Sequence, residues 1–218
     1  MHLVNLVAAI IGVLLVVAAI PEAFLAGVPE VSKPLLRNSY FTEDLEHWTF
    51  NYRGRGLSFI VMPVQVDGKP ALKVSSTKEA VGEVVMSQRF MYNTSWTLLS
   101  PMFVKTVLRL QYVINGGAIR VVIKAPHGAE LKSEVIQAPN EHGVYEIELE
   151  DALWPYTMRY LTVEIHFIDE NEEVACEWLM YEASITLIDK RGVAVLASFI
   201  VIVSVIVVGI ITYLRTRV

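Results

Sequence analysis

The chain has 218 residues, of which 54% are hydrophobic and 19% charged, with a formal net charge of −5. Soluble domains average about 45–50% apolar and about 25% charged, which excludes a uniformly soluble chain. Lysine and arginine are scattered singly, so no basic stripe exists to neutralise phosphates and nucleic acid is excluded as a partner.

Taken in chain order, Leu3–Ile20 comes first, with 16 hydrophobic residues out of 18, and Pro21 and Glu22 end it. It has the character of a signal-peptide hydrophobic region. No lysine or arginine precedes it, however, and the small residues near Ala19, Ala23 and Ala26 offer untidy cleavage sites. Residues 1–28 are therefore read first as a cleaved signal peptide and alternatively as an uncleaved N-terminal membrane anchor. Pro29–Pro34 follows as a short stiff spacer.

Beyond the spacer the dominant hydrophobic period is two, the signature of strands. Trp48, Phe50 and Tyr52 share one strand face and are expected to form an inward core stripe. Leu57–Val66 is apolar and extended, and Asp67-Gly68 supplies the tight turn into Ala71–Ser75. Val107–Ile114 alternates, with Leu108, Leu110, Tyr112 and Ile114 on one face, and Asn115-Gly116-Gly117 turns it into Ala118–Lys124. Val144–Glu150 puts Tyr145, Ile147 and Leu149 inward, and Leu161–Phe167 sets Leu161, Val163, Ile165 and Phe167 against Thr162, Glu164 and His166. Val174–Ile188 is a long final strand whose apolar parity switches near Met180, which predicts a bulge or a change of sheet.

Eight or nine such strands without a helical period predict an all-β domain over residues 29–189. The expected form is a two-sheet antiparallel β-sandwich of jelly-roll-like type. Cys176 is the single cysteine, so no intrachain disulfide can form and packing must hold the domain. Pro29–Asp189 carries 22 acidic and 14 basic residues, a balance that favours solubility.

Residues 190–218 close the chain. Val193–Leu214 is 22 residues without a charge, or ~33 Å of helix against a hydrocarbon core of about 30 Å. Ser198, Ser204 and Thr212 can return hydrogen bonds to their own helix backbone, and Tyr213 sits where an interfacial anchor belongs. Lys190-Arg191 on one side and Arg215 with Arg217 on the other tie the positive-inside count, so orientation is not set. Without the two apolar ends the remaining residues are about 47% hydrophobic, an ordinary globular value. The expectation is a transmembrane helix with the lipid bilayer as partner and an extracytoplasmic, cell-surface domain. The protein is single-pass if the first segment is removed and two-pass if it stays.

Within Leu35–Trp48 the residues Asn38, Phe41, Asp44, Leu45 and Trp48 reproduce an opening of Asn, Phe, a short acidic loop and Leu-x-x-Trp. With Ala71-Leu72-Lys73-Val74 after a glycine turn and a closing strand at Leu179–Leu187, the domain resembles galactose-binding-like jelly rolls, including many carbohydrate-binding modules. The resemblance implies a β-sandwich and a glycan partner. It departs at Thr42, where the family has an acid, and at Tyr181-Glu182-Ala183, where the family's paired acids are reduced to one. Those acids serve a structural calcium in the family, so no metal is expected here.

Sugar binding needs flat aromatic faces with amides or carboxylates nearby. Trp154 and Tyr156 lie in a connection outside any alternating strand and are the first ligand-binding candidates, and Tyr92 and Trp96 beside another turn are the second pair. Trp178 is assigned to the core. Asn93-Thr94-Ser95 is an N-glycosylation sequon, so Asn93 would make this a glycoprotein on an exported face. Asp169–Glu173 is read as a solvated hairpin tip. His47, His127, His142 and His166 have no metal-ligand spacing with one another or with Cys176, and no nucleophile elbow, phosphate loop or His-Glu-x-x-His occurs. The expectation is a binding protein without cofactor rather than an enzyme. The alternative is a structural or accessory subunit of a membrane or cell-surface assembly with a protein partner, and a hydrolase with dispersed catalytic residues is a distant third.

Overall fold

The computed structural model describes residues 31–55, 59–78, 81–92, 104–137, 142–149, 153, 156, 159–170, 175–190, 200, 203–209 and 211. Chain contacts divide the protein into two units. One is Ser32–Pro101 with Lys105–Ile188; the other is Met1–Val31, Met102–Val104 and Asp189–Val218.

The first unit is the β-sandwich. In chain order the described strands are β1 (Val31–Pro34), β2 (Thr49–Arg55), β3 (Phe59–Val66), β4 (Lys69–Ser76), β5 (Val81–Tyr92), β6 (Val104–Asn115), β7 (Ala118–Lys124), β8 (Glu130–Ile136), β9 (His142–Glu148), β10 (Arg159–Asp169) and β11 (Glu177–Asp189). One sheet runs β3-β4-β11-β6-β9 with β1 also against β11, and the other runs β2-β5-β10-β7-β8. The registered pairs are antiparallel, as the sequence predicts.

The period of two becomes the core directly. Leu108, Leu110, Tyr112 and Ile114 of β6 are buried, as are Leu161, Val163, Ile165 and Phe167 of β10. Trp178 is fully buried, with Phe167 edge-on at a ring separation of 6.0 Å. One of the two expected hairpins forms, with Asp67-Gly68 joining β3 to β4, whereas Asn115-Gly116-Gly117 carries the chain from β6 in one sheet to β7 in the other and so closes no hairpin. Asp67 and Gly68 take φ values of 53° and 75°, and Gly116 and Gly117 take 84° and 70°, the left-handed conformations such turns demand. Gly117 is needed twice over, because a Cβ there would lie 2.3 Å from the Ile168 carbonyl oxygen and 2.6 Å from Trp178 Cζ2.

Three further expectations change. The stiff spacer is a strand at its end, since β1 pairs with β11 and Leu35 N–H continues the contact by donating to Ile185 O at 2.8 Å. The aromatic stripe on β2 runs off the core: Trp48 is buried and Phe50 half-buried, but Tyr52 is exposed, because β2 is an edge strand. The parity switch in β11 is a change of partner within one sheet. Glu177–Met180 pair with Ser75–Leu72 of β4, after which Ala183 N–H donates to Ser39 O at 2.9 Å.

Of the second unit, residues 203–209 are helical, and Ser204 Oγ donates to Ile200 O at 2.8 Å, the backbone return expected of it. Among the described residues no helix is long and apolar enough to cross a membrane. Residues 1–30 and most of Val193–Leu214 lie outside the described residues.

Candidate functional site

The inward parity of β10 fixes what its other face carries. With Leu161, Val163, Ile165 and Phe167 in the core, Tyr160, Thr162, Glu164 and His166 point to the outer face of their sheet. Register then sets their neighbours: Tyr160 faces Met91 of β5, Thr162 faces Arg89, Glu164 faces Ser87 and His166 faces Val85. On the far side of β5, Thr49 of β2 faces Ser87.

One part of this face is a ladder of alternating charge. Arg53 pairs with Glu83 at 3.2 Å, and Glu83 Oε2 lies 2.7 Å from His166 Nδ1. His166 Nε2 lies 3.1 Å from Glu164 Oε2, and the same oxygen meets Lys124 Nζ at 2.6 Å. The ladder thus crosses four adjacent strands, with His166 only 4% exposed at its centre. Burial alone would push the Glu164 carboxyl up, but the Lys124 ammonium and the His166 ring outweigh it and hold the carboxyl below its usual range.

The other part is a groove of about 640 Å³. Its floor carries Ser87, Arg89 and Met91 of β5 with Tyr160 and Thr162 of β10. Tyr160 is 50% exposed, and the Arg89 guanidinium lies over its ring, 4.7 Å from the centroid. The wall comes from the end of β1 and the chain that follows it, including Lys33 and Arg37, together with His47 and Thr49.

Two buried devices hold that wall. Gln88 points inward from β5, where its Oε1 accepts from Arg37 N–H at 2.7 Å and its Nε2 donates to Arg37 O at 3.0 Å. The side-chain amide thereby takes both backbone groups of Arg37, as a neighbouring strand would. The following loop is organised by Asn38. Its Nδ2 donates to Asp44 O and Glu46 O at 3.1 Å each, and its Oδ1 accepts from Glu43 N–H at 3.0 Å. Phe41 and Trp48 pack beneath, with ring centroids 6.1 Å apart. The residues that carry the family resemblance therefore build this loop.

Of the aromatic residues singled out in the sequence, Tyr156 is half-buried and is absent from the groove lining. Trp154, Trp96 and Asn93 lie outside the described residues. Tyr92 is corrected: it is 3% exposed, on the inward parity of Phe90, and Thr106 Oγ1 donates to its hydroxyl at 3.5 Å. Its ring is part of the core and offers no face for stacking. Asp169 is likewise not part of a solvated tip, being 1% exposed and accepting a hydrogen bond from Ser76 Oγ, while residues 171–174 lie outside the described residues.

The groove residues Tyr160 and Arg89 were not singled out, although the parity of β10 already places Tyr160 outward. Glu43, Glu46 and His47 bring ligand atoms within 4.8 Å of one another on the exposed loop, a grouping that histidine and cysteine spacing does not reveal. Glu182, the one acid of the closing strand, is 5% exposed, accepts from Ser184 Oγ at 2.7 Å and lies 3.5 Å from Arg109 Nε.

No family model matches the chain, and no curated protein sequence matches it. Solved structures do. The enzymatically active domain of bacteriophage CBA120 tailspike protein 4 is 11% identical with a TM-score of 0.52, over 70% of this chain and 21% of that one. The chain thus spans about a fifth of the length of that protein. The carbohydrate-binding module TmCBM61, solved with β-1,4-galactotriose, is 12% identical with a TM-score of 0.48, over 72% of this chain and 99% of that one. The family 11 carbohydrate-binding module from Clostridium thermocellum, solved with a mixed-linked tetrasaccharide, is 13% identical with a TM-score of 0.45, over 71% and 95%. At these identities the likeness is one of fold alone, a two-sheet β-sandwich.

Proposed function

We propose that the sandwich is a non-catalytic carbohydrate-binding module held at a membrane, and that the saccharide lies in the groove on β5 and β10. The observation that carries this reading is Tyr160, half exposed on a groove floor that also presents the hydroxyls of Ser87 and Thr162. A phenol ring supplies an apolar face for the C–H surface of a pyranose, and hydroxyl side chains answer its hydroxyls. Membrane attachment is supported by the uncharged run Val193–Leu214, and Val203, Val205, Ile206 and Val207 are all exposed on its described helical part.

The test is oligosaccharide binding by the full chain in a zwitterionic, sugar-free detergent, followed by titration calorimetry. Tyr160→Ala is expected to weaken the binding that wild type shows by roughly 10-fold, and absence of binding to every saccharide tried would overturn the reading.

A second reading, an accessory subunit with a protein partner, has one observation in its favour. Ile60 and Met62 are exposed on β3, an edge strand of the other sheet. Cross-linking at Ile60 in native membranes, with recovery of a defined partner, tests it.

A further inference from the structure

The groove differs in charge from the domain that surrounds it. Pro29–Asp189 carries 22 acidic residues against 14 basic ones. Yet the groove is lined by Lys33, Arg37 and Arg89, and no aspartate or glutamate lines it, Glu43 reaching only the lining His47, at 3.5 Å. Elsewhere seven cations are answered, since Arg53, Lys73, Lys105, Arg109, Arg120, Lys124 and Lys132 each lie within 4 Å of a glutamate carboxylate, while Lys69, Lys78 and Arg159 stand apart on the surface outside the groove lining. Among the described residues Lys33, Arg37 and Arg89 have no such carboxylate, and all three are exposed.

Bringing like charges to one groove costs repulsion, and in an acidic domain glutamates are the common means of relieving it. Here that relief is missing where the fold also fixes the cations in place. Gln88 clamps the backbone of Arg37 from below, and the Tyr160 ring supports Arg89 from the side. An arginine stacked on a ring keeps its N–H edge available, and that planar edge matches the two oxygens of a carboxylate or sulfate.

We infer that the groove takes an anionic saccharide chain, one bearing uronate carboxylates or sulfate esters, with Arg37, Arg89 and Lys33 meeting the acid groups. The inference rests on the saccharide reading of the same groove and specifies its ligand. Tyr160 would stack on a sugar ring while the acid substituent reaches Arg89 beside it, so one ligand uses both halves of the floor. A neutral glycan would leave three cations desolvated without a counter-charge.

The full chain in sugar-free zwitterionic detergent is titrated with polygalacturonate fragments, sulfated galactan fragments, neutral galacto-oligosaccharides and, separately, phosphatidylserine vesicles. Acidic fragments are expected to bind at least ~10-fold more tightly than the neutral one. That advantage should shrink as salt rises. Arg89→Gln and Lys33→Gln should each erase most of the preference while leaving the unfolding midpoint within a few degrees of wild type. Lys33 is exposed on the wall, so its variant guards against a folding artefact at Arg89. Equal binding of neutral and acidic fragments would overturn the anionic assignment and leave the saccharide reading standing. No saccharide binding at all would overturn both. Charge-dependent binding to the vesicles but to no acidic saccharide would overturn the inference in favour of a lipid surface.

Discussion

The Arg89 guanidinium lies over the Tyr160 ring at 4.7 Å from its centroid, so one face of the only strongly exposed aromatic on the groove floor is already occupied. A ligand can stack only on the other face, and it meets the cation at the ring edge. Separating ring from hydroxyl tests this directly. Tyr160→Ala should weaken saccharide binding by about 1–2 kcal/mol, roughly 10-fold, whereas Tyr160→Phe should stay within about 2-fold. Calorimetry on the two variants checks it, and equal losses would transfer the effect from the ring to the hydroxyl.

Gln88 gives a second prediction, because it holds the wall from a buried position. Gln88→Leu leaves both backbone groups of Arg37 without their partner at a buried site. The expected cost is about 1–3 kcal/mol in urea unfolding. Saccharide affinity should fall with it, even though the substituted side chain points into the core.

Asn38 sits at φ 49° and its side chain makes three hydrogen bonds within its own loop. Asn38→Ala loses all three and keeps the left-handed backbone, for a cost of about 1–2 kcal/mol. Asn38→Asp retains the acceptor and loses the two donor bonds to Asp44 and Glu46. It should therefore fall between wild type and alanine in thermal unfolding.

The charge ladder predicts an acid-side loss of stability. The Glu164 carboxyl is held below its ordinary value of 4.5 by Lys124 and His166, so the unfolded chain takes up a proton at higher pH than the folded one. The stability this contributes is complete above about pH 4.5 and disappears as pH falls through the lower, folded value. Urea midpoints measured from pH 7 to pH 3 should drop for wild type. Glu164→Gln should start lower at pH 7 and show a shallower decline.

Cys176 behaves in the opposite sense. Burial, with the Asp169 carboxylate beside it, pushes its thiol up to about 11 from 9. The neutral thiol belongs to the fold, so stability is complete below pH 9 and is lost as pH rises toward 11. At pH 8 a thiol reagent should leave the folded protein unmodified and label it at once in denaturant. Labelling of the folded chain at the denatured rate would contradict the buried placement.

The sandwich was legible because its strands alternate and its turns are marked. β6, β9 and β10 each show apolar residues at every second position, and Asp67-Gly68 and Asn115-Gly116-Gly117 carry the backbone that tight turns need. β8, reading ELKSEVI, was not legible, since its burial is shallow and only Ile136 reaches the core. The groove was illegible for another reason. Its parts come from β1, β5 and β10, more than 120 residues apart, and only strand order brings them together. Tyr92 was misread because nearness to a turn was given more weight than the parity it shares with Phe90. The same parity rule, applied to β10, would have pointed to Tyr160.

β11 has a consequence for the order in which the molecule can be made. It is the last strand of the domain, yet it lies in the interior of its sheet, between β4 and β6. During synthesis the earlier strands leave the ribosome with a gap at that position, and both flanking edges stay open until Glu177–Asp189 arrives. The sheet is then closed by contacts more than 100 residues apart, such as Trp178 with Val74, a topology that folds slowly. Until that moment β4 and β6 are exposed templates for any other strand. The half-made domain is most open to mispairing just before the apolar C-terminal segment follows it out.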